Sequence, residues 1–67
     1  MTPHQREAVQ DVEARRYRLR LTQKQLCERV GIFTASYSRA KSHGFGFDLL
    51  AKVEKALDEL EAERASA

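Results

Sequence analysis

Apolar side chains recur along this chain at helical intervals, and nowhere do they alternate as a half-buried strand would require. Thr2-Pro3-His4-Gln5 has the form of a helix start: a Thr cap, Pro in the first helical position and Gln three residues after the cap. From there to about Arg20 no Gly or Pro intervenes. Val9, Val12, Arg16 and Leu19 follow a helical repeat with Ala8 beside them, and Tyr17 and Leu21 extend the apolar side. Thr22-Gln23-Lys24-Gln25 is a second capping box, opening a helix of barely two turns that gathers Leu26, Cys27 and Val30 on one face. It stops at Gly31, where a reversal with positive φ suits glycine.

Beyond that turn, Ile32 and Phe33 lead into a short helix, Thr34 to Ala40, with Tyr37 and Ala40 three apart. Ser42-His43-Gly44-Phe45-Gly46 reads as a loop, since two Gly and a Ser in five residues break a helix. A last helix runs from Phe47 to about Leu60 on the stripe Phe47, Leu50, Val53, Ala56, Leu57 and Leu60, with Lys52 and Lys55 opposite. Residues 61–67 are expected to fray. With no strand pattern and no internal repeat, the expectation is all-α: a compact four-helix domain spanning 1–67.

Size and composition narrow what such a domain can do. Sixty-seven residues allow one small core and no deep pocket. Charged residues at 33% and hydrophobics at 42% suit a folded chain, not a disordered one. The single Cys27 excludes an internal disulfide and fits a reducing compartment. No apolar run approaches 18 residues and the first residues are polar, so the expectation is a cytoplasmic protein that neither spans a membrane nor is secreted.

Net charge is only +2, but the signs are sorted. Residues 1–41 carry nine basic and four acidic side chains, residues 42–67 three basic and six acidic. Arg15, Arg16, Arg18 and Arg20 are the densest cluster, followed by Lys24 and Arg29. That asymmetry suggests a positive surface facing a polyanion, with an acidic end turned away from it. Two short helices joined by a Gly turn, the second one polar, are what a reader of duplex DNA needs. The first helix braces across phosphates, and small or hydrogen-bonding side chains let the second approach base edges in the major groove.

Leu21-Thr22-Gln23-x-x-Leu26-Cys27-x-x-Val30-Gly31-Ile32 resembles the helix-turn-helix signature of the Xre/Cro/C-type phage and plasmid repressors. Tyr37, Arg39 and the later Leu50-x-x-Val53-x-x-Ala56-Leu57 stand where that family has an apolar residue, a basic or polar group and a following helix. Arg16, six residues before Thr22, matches a family arginine that braces the domain internally. The resemblance covers roughly residues 12–60, with the helix-turn-helix at about 22–41. It implies a lambda-repressor-like fold. The loop Ser42 to Gly46 lacks the family's usual Glu-x-Gly, and three single positions also depart from the pattern. Phe33 replaces the usual Ser or Thr cap, so the cap either slips to Thr34 or is missing. Tyr37 replaces an aliphatic residue, and its hydroxyl needs a partner or a route to solvent. Ala40 stands where a larger residue is common.

Carried over position by position, the resemblance makes Gln23 a phosphate contact or a prop for the recognition helix. It puts Thr34, Ala35, Ser36, Ser38 and Arg39 on the reading face. Arg39 is the expected base contact, because its guanidinium can bond a guanine edge with two parallel hydrogen bonds, worth about 1–3 kcal/mol of discrimination. Phe33 or Ala35 would meet a thymine methyl. Lys41, Ser42 and His43 would return to phosphate, and Arg18, Arg20 and Lys24 would add nonspecific attraction.

Other chemistry finds little footing. His4 and His43 lie far apart with no ligand spacing, so no metal or other cofactor is expected. No Ser/His/Asp or Cys/His grouping appears, and Asp58 and Glu59 belong to a solvated acidic tail, so no enzyme activity and no catalytic residue are expected. Cys27 reads as a small buried side chain, Gly44-Phe45-Gly46 as a turn too short to cradle phosphate, and Phe45 and Phe47 as core plugs. No small-molecule ligand is expected. The leading reading is a DNA-binding transcriptional regulator, a dimeric repressor or autoregulator of phage, plasmid or mobile-element type that reads an inverted repeat. Leu49, Val53, Leu57 and Leu60 would form its homodimer interface. The alternative is a small helical adaptor, antitoxin-like or a phage protein bound to a host factor, using the acidic last helix.

Overall fold

The computed structural model describes residues 1–66, and over them the chain is all-α. Four helices follow one another: α1 Pro3–Arg18, α2 Gln23–Val30, α3 Thr34–His43 and α4 Phe47–Ser66. Both expected capping boxes form. The Thr2 hydroxyl accepts from the Gln5 amide at 3.2 Å and the Thr22 hydroxyl from the Gln25 amide at 3.1 Å, while each Gln side chain accepts from the backbone N–H of its cap.

The first helix stops two residues short of Arg20, and the reason lies in its last turn. Arg20 N–H donates to Tyr17 C=O and Leu21 N–H to Arg16 C=O, with Arg20 itself at φ 57°. Those two bonds are a Schellman ending, and they place an arginine where glycine is usual. The second helix ends on the expected residue and shares only the outer of those two bonds: Gly31, at φ 86°, lets both its own N–H and that of Ile32 reach Cys27 C=O.

Val12, Leu26, Cys27, Tyr37, Ala40, Phe45, Val53 and Leu57 form the core, with Val9, Leu19, Leu21, Val30, Ile32, Leu49, Leu50 and Leu60 packed around it. α4 lies against α1 and α2, and α2 against α3. The Tyr37 and Phe45 rings meet edge to face at 5.6 Å, so Phe45 is the plug expected of it. Phe47 is not: it is 90% exposed, because helix α4 begins at that residue and its first side chain falls outside the buried stripe.

Two further expectations fail in α4. The segment expected to fray is helical through Ser66, and Ala67 lies outside the described residues. Glu61 and Asp58 both bind Arg15 of α1, Glu63 binds Arg29 of α2, and Arg64 donates to the Arg18 carbonyl at 3.2 Å. Such cross-links hold a terminus that propensity alone would leave loose. The acidic end therefore folds back onto part of the basic cluster and does not simply turn away from it. Among the described residues no helix is long and apolar enough to cross a membrane.

Candidate nucleic-acid interface

The surface of interest is the outer side of α3. Its register turns Tyr37 and Ala40 into the core and leaves Thr34, Ala35, Ser38, Arg39, Ser42 and His43 exposed, with Ser36 half-buried. No Asp or Glu occurs between Arg29 and Phe47, so the helix carries no negative side chain of its own. Ser36, Arg39 and His43 share one flank, where they line an open groove of about 380 Å³ with Ala40, Gly44 and Leu49. Gly44 closes the helix at φ 99°, and a Cβ there would meet the Gln5 side chain at 3.0 Å, so the turn out of α3 needs glycine twice over.

The N-terminus of α3 is capped by Phe33, whose side chain offers no acceptor. Of the two outcomes left open for this cap, the missing one is what forms. The ring itself is 83% exposed. Across the turn, Gln23 is half-buried in the first turn of α2 and Lys24 is exposed beside it.

What orients α3 is a charged cluster beneath it. The guanidinium of Arg16, only 6% exposed, donates to Leu21 C=O at 2.7 Å and to Glu13 Oε2 at 2.7 Å. It thus braces the α1–α2 connection from inside the protomer. The ammonium of Lys41 forms an ion pair with Glu13 Oε1 at 2.9 Å. Burial pushes the Glu13 carboxyl up, but Lys41 and Arg16 together pull it further down, and it ends below the usual carboxylate range. Lys41 is therefore engaged inside the protomer and not free beside Ser42 and His43. The Glu13 clamp has a sequence signal, an acid three residues before an arginine on one helix, but Lys41 lies 28 residues away and gives none.

Tyr37 finds neither of the outlets its hydroxyl needs: the side chain is fully enclosed and the oxygen has no hydrogen-bond partner. Burial, with the Glu13 carboxylate nearby, pushes its phenol up to about 12.

The expected dimer surface is corrected in half its members. Val53 and Leu57 have no exposure at all, being consumed by the protomer's own core, and cannot also face a second copy. Leu49 and Leu60 are half-buried and line different grooves, Leu49 beside α3 and Leu60 with Leu19 and Leu21. Comparison with known protein families, characterised proteins and solved structures gave no match to this chain.

Proposed function

We propose that this chain is a sequence-specific double-stranded-DNA-binding transcriptional regulator, acting as a dimeric repressor or autoregulator of phage, plasmid or mobile-element type. The observation that carries this reading is the outer face of α3: exposed along its length, composed of small, hydroxyl and basic side chains, and free of carboxylates over residues 30–47. A helix with that face can approach base edges closely, and Arg39 is the residue for a guanine. Lys24, exposed at the start of α2, takes the phosphate role better than Lys41, which Glu13 already holds.

The dimer follows from reading length. One recognition helix spans only a few base pairs, so two copies related by a two-fold axis read an inverted repeat with half-sites about 34 Å apart. With Val53 and Leu57 enclosed, the large apolar side chains on α4 that a second copy can still meet are the half-buried Leu49, Leu50 and Leu60 and the exposed Phe47. The adaptor reading is weakened by the engagement of Asp58, Glu61 and Glu63 with Arg15 and Arg29, which occupies much of the acidic surface it needs.

Selection of bound fragments from a random duplex pool tests the proposal. Enrichment of an inverted repeat, with affinity falling steeply between about 50 and 200 mM salt, is the expected result. Absence of any duplex affinity at low salt would overturn it in favour of a protein partner.

A further inference from the structure

Phe33 is in the wrong place twice. α1 and α2 each begin on a Thr whose hydroxyl accepts the N3 amide, whereas α3 begins on Phe33 and has no side-chain cap. Phenylalanine offers the first turn nothing in the way that Ser, Thr, Asp and Asn do. The same ring is 83% exposed; Phe47 and Tyr17 are exposed too, but only Phe33 stands at the head of the α3 face. The missing cap forgoes stability that a Ser or Thr would supply, and the exposed ring adds nothing to the core, so neither feature is explained by the stability of the protomer.

The position narrows what could account for them. Phe33 sits at the head of the α3 face, next to Thr34 and Ala35 and across the turn from α2, in a stretch without carboxylates. On a DNA duplex the apolar group offered in the major groove is the C5 methyl of thymine. We propose that Phe33 is a specificity-determining residue that packs its ring on a thymine methyl and so selects an A·T pair at one fixed position of each half-site. The assignment rests on the DNA-binding reading above. It gives the ring a job that the alternative contact, Ala35, with a single methyl, does less well.

The experiment uses the full chain and a duplex recovered by selection, with each thymine replaced in turn by uracil, which removes only the methyl. For the unaltered protein, one replacement per half-site should weaken binding roughly five- to tenfold and the others should do little. Phe33→Ser should bind the thymine duplex as weakly as the unaltered protein binds the uracil duplex, and should not distinguish the two. Its melting temperature should not fall, because the change supplies a cap and removes an exposed ring. Phe33→Leu should retain part of the discrimination. Unaltered binding to every uracil duplex, or an equal loss for Phe33→Ser on thymine and uracil duplexes, overturns the proposal while leaving DNA binding intact. Failure to select any duplex overturns both.

Discussion

Tyr37 is the residue at which the core is least comfortable. Its hydroxyl is enclosed without a partner, which costs about 1–3 kcal/mol relative to a satisfied group. Removing that oxygen in Tyr37→Phe should therefore leave stability unchanged or raise it by about 1 kcal/mol. The phenol also links stability to pH. Its folded pKa lies near 12, above the ordinary value of 10, so its contribution is fully present below pH 10 and is lost as pH rises from 10 to 12. Denaturant midpoints measured across that range should drop for the unaltered protein and much less for Tyr37→Phe; parallel curves would show that another group titrates. Arg20 offers a second test. An L-residue at φ 57° is strained by roughly 1–2 kcal/mol, so Arg20→Gly should stabilise the α1–α2 turn by up to about 1 kcal/mol after the added flexibility of the unfolded chain. The converse holds at Gly31, where a Cβ would touch nothing but φ is 86°: Gly31→Ala should cost about 1 kcal/mol through the backbone alone. Thermal melts of the two variants should move in opposite directions. Gly31 was legible in the sequence because glycine advertises a left-handed turn; Arg20 was not, because nothing about an arginine does.

At the scale of helices, what the sequence reveals depends on how far apart the partners lie. Helix starts at Thr2 and Thr22 are four-residue patterns, and both form as the pattern dictates. The end of α4 depends on partners 43 and 46 residues away, Asp58 and Glu61 on Arg15, which no local pattern contains. Helical spacing could likewise mark Val53 and Leu57 as apolar without telling an intramolecular neighbour from a second copy. Phe47 shows a related limit: it fits the spacing, but a residue at the very start of a helix need not share the face of those that follow. The hydrogen bond from Arg15, with its charge, draws the Glu61 carboxyl below its usual range, so whatever it contributes is present at neutral pH and is lost on acidification. Arg15→Ala should speed amide exchange over residues 58–66 and lower global stability by only about 1 kcal/mol, as for other partly exposed ion-pair networks. If exchange there is unchanged, apolar packing at Leu60 is what holds the last turns.

For the whole molecule, the sorting of charge along the sequence overstates what a polyanion would meet. Of the nine cations in residues 1–41, Arg15, Arg16, Arg29 and Lys41 are paired with carboxylates, leaving Arg6, Arg18, Arg20, Lys24 and Arg39 without such partners among the described residues. If those five alone meet phosphate, a plot of log affinity against log salt should have a slope of about −4.5 per protomer, and Lys24→Ala should reduce it by about 1 on every sequence alike. Arg39→Ala should instead relax preference at one base pair, by about 1–3 kcal/mol. Small, equal losses from both variants would mean that α3 is not what reads the duplex.

The Glu13 clamp sets two properties against each other. Its carboxylate steadies the domain by gripping Arg16 and Lys41, and in doing so it withholds a positive charge that stands at the rim of α3. Glu13→Gln should accordingly yield a protein that melts earlier, by about 2 kcal/mol, yet clings to duplex DNA more tightly at low salt. On the proposed reading, one side chain thus secures sturdiness at the expense of nonspecific grip on a polyanion.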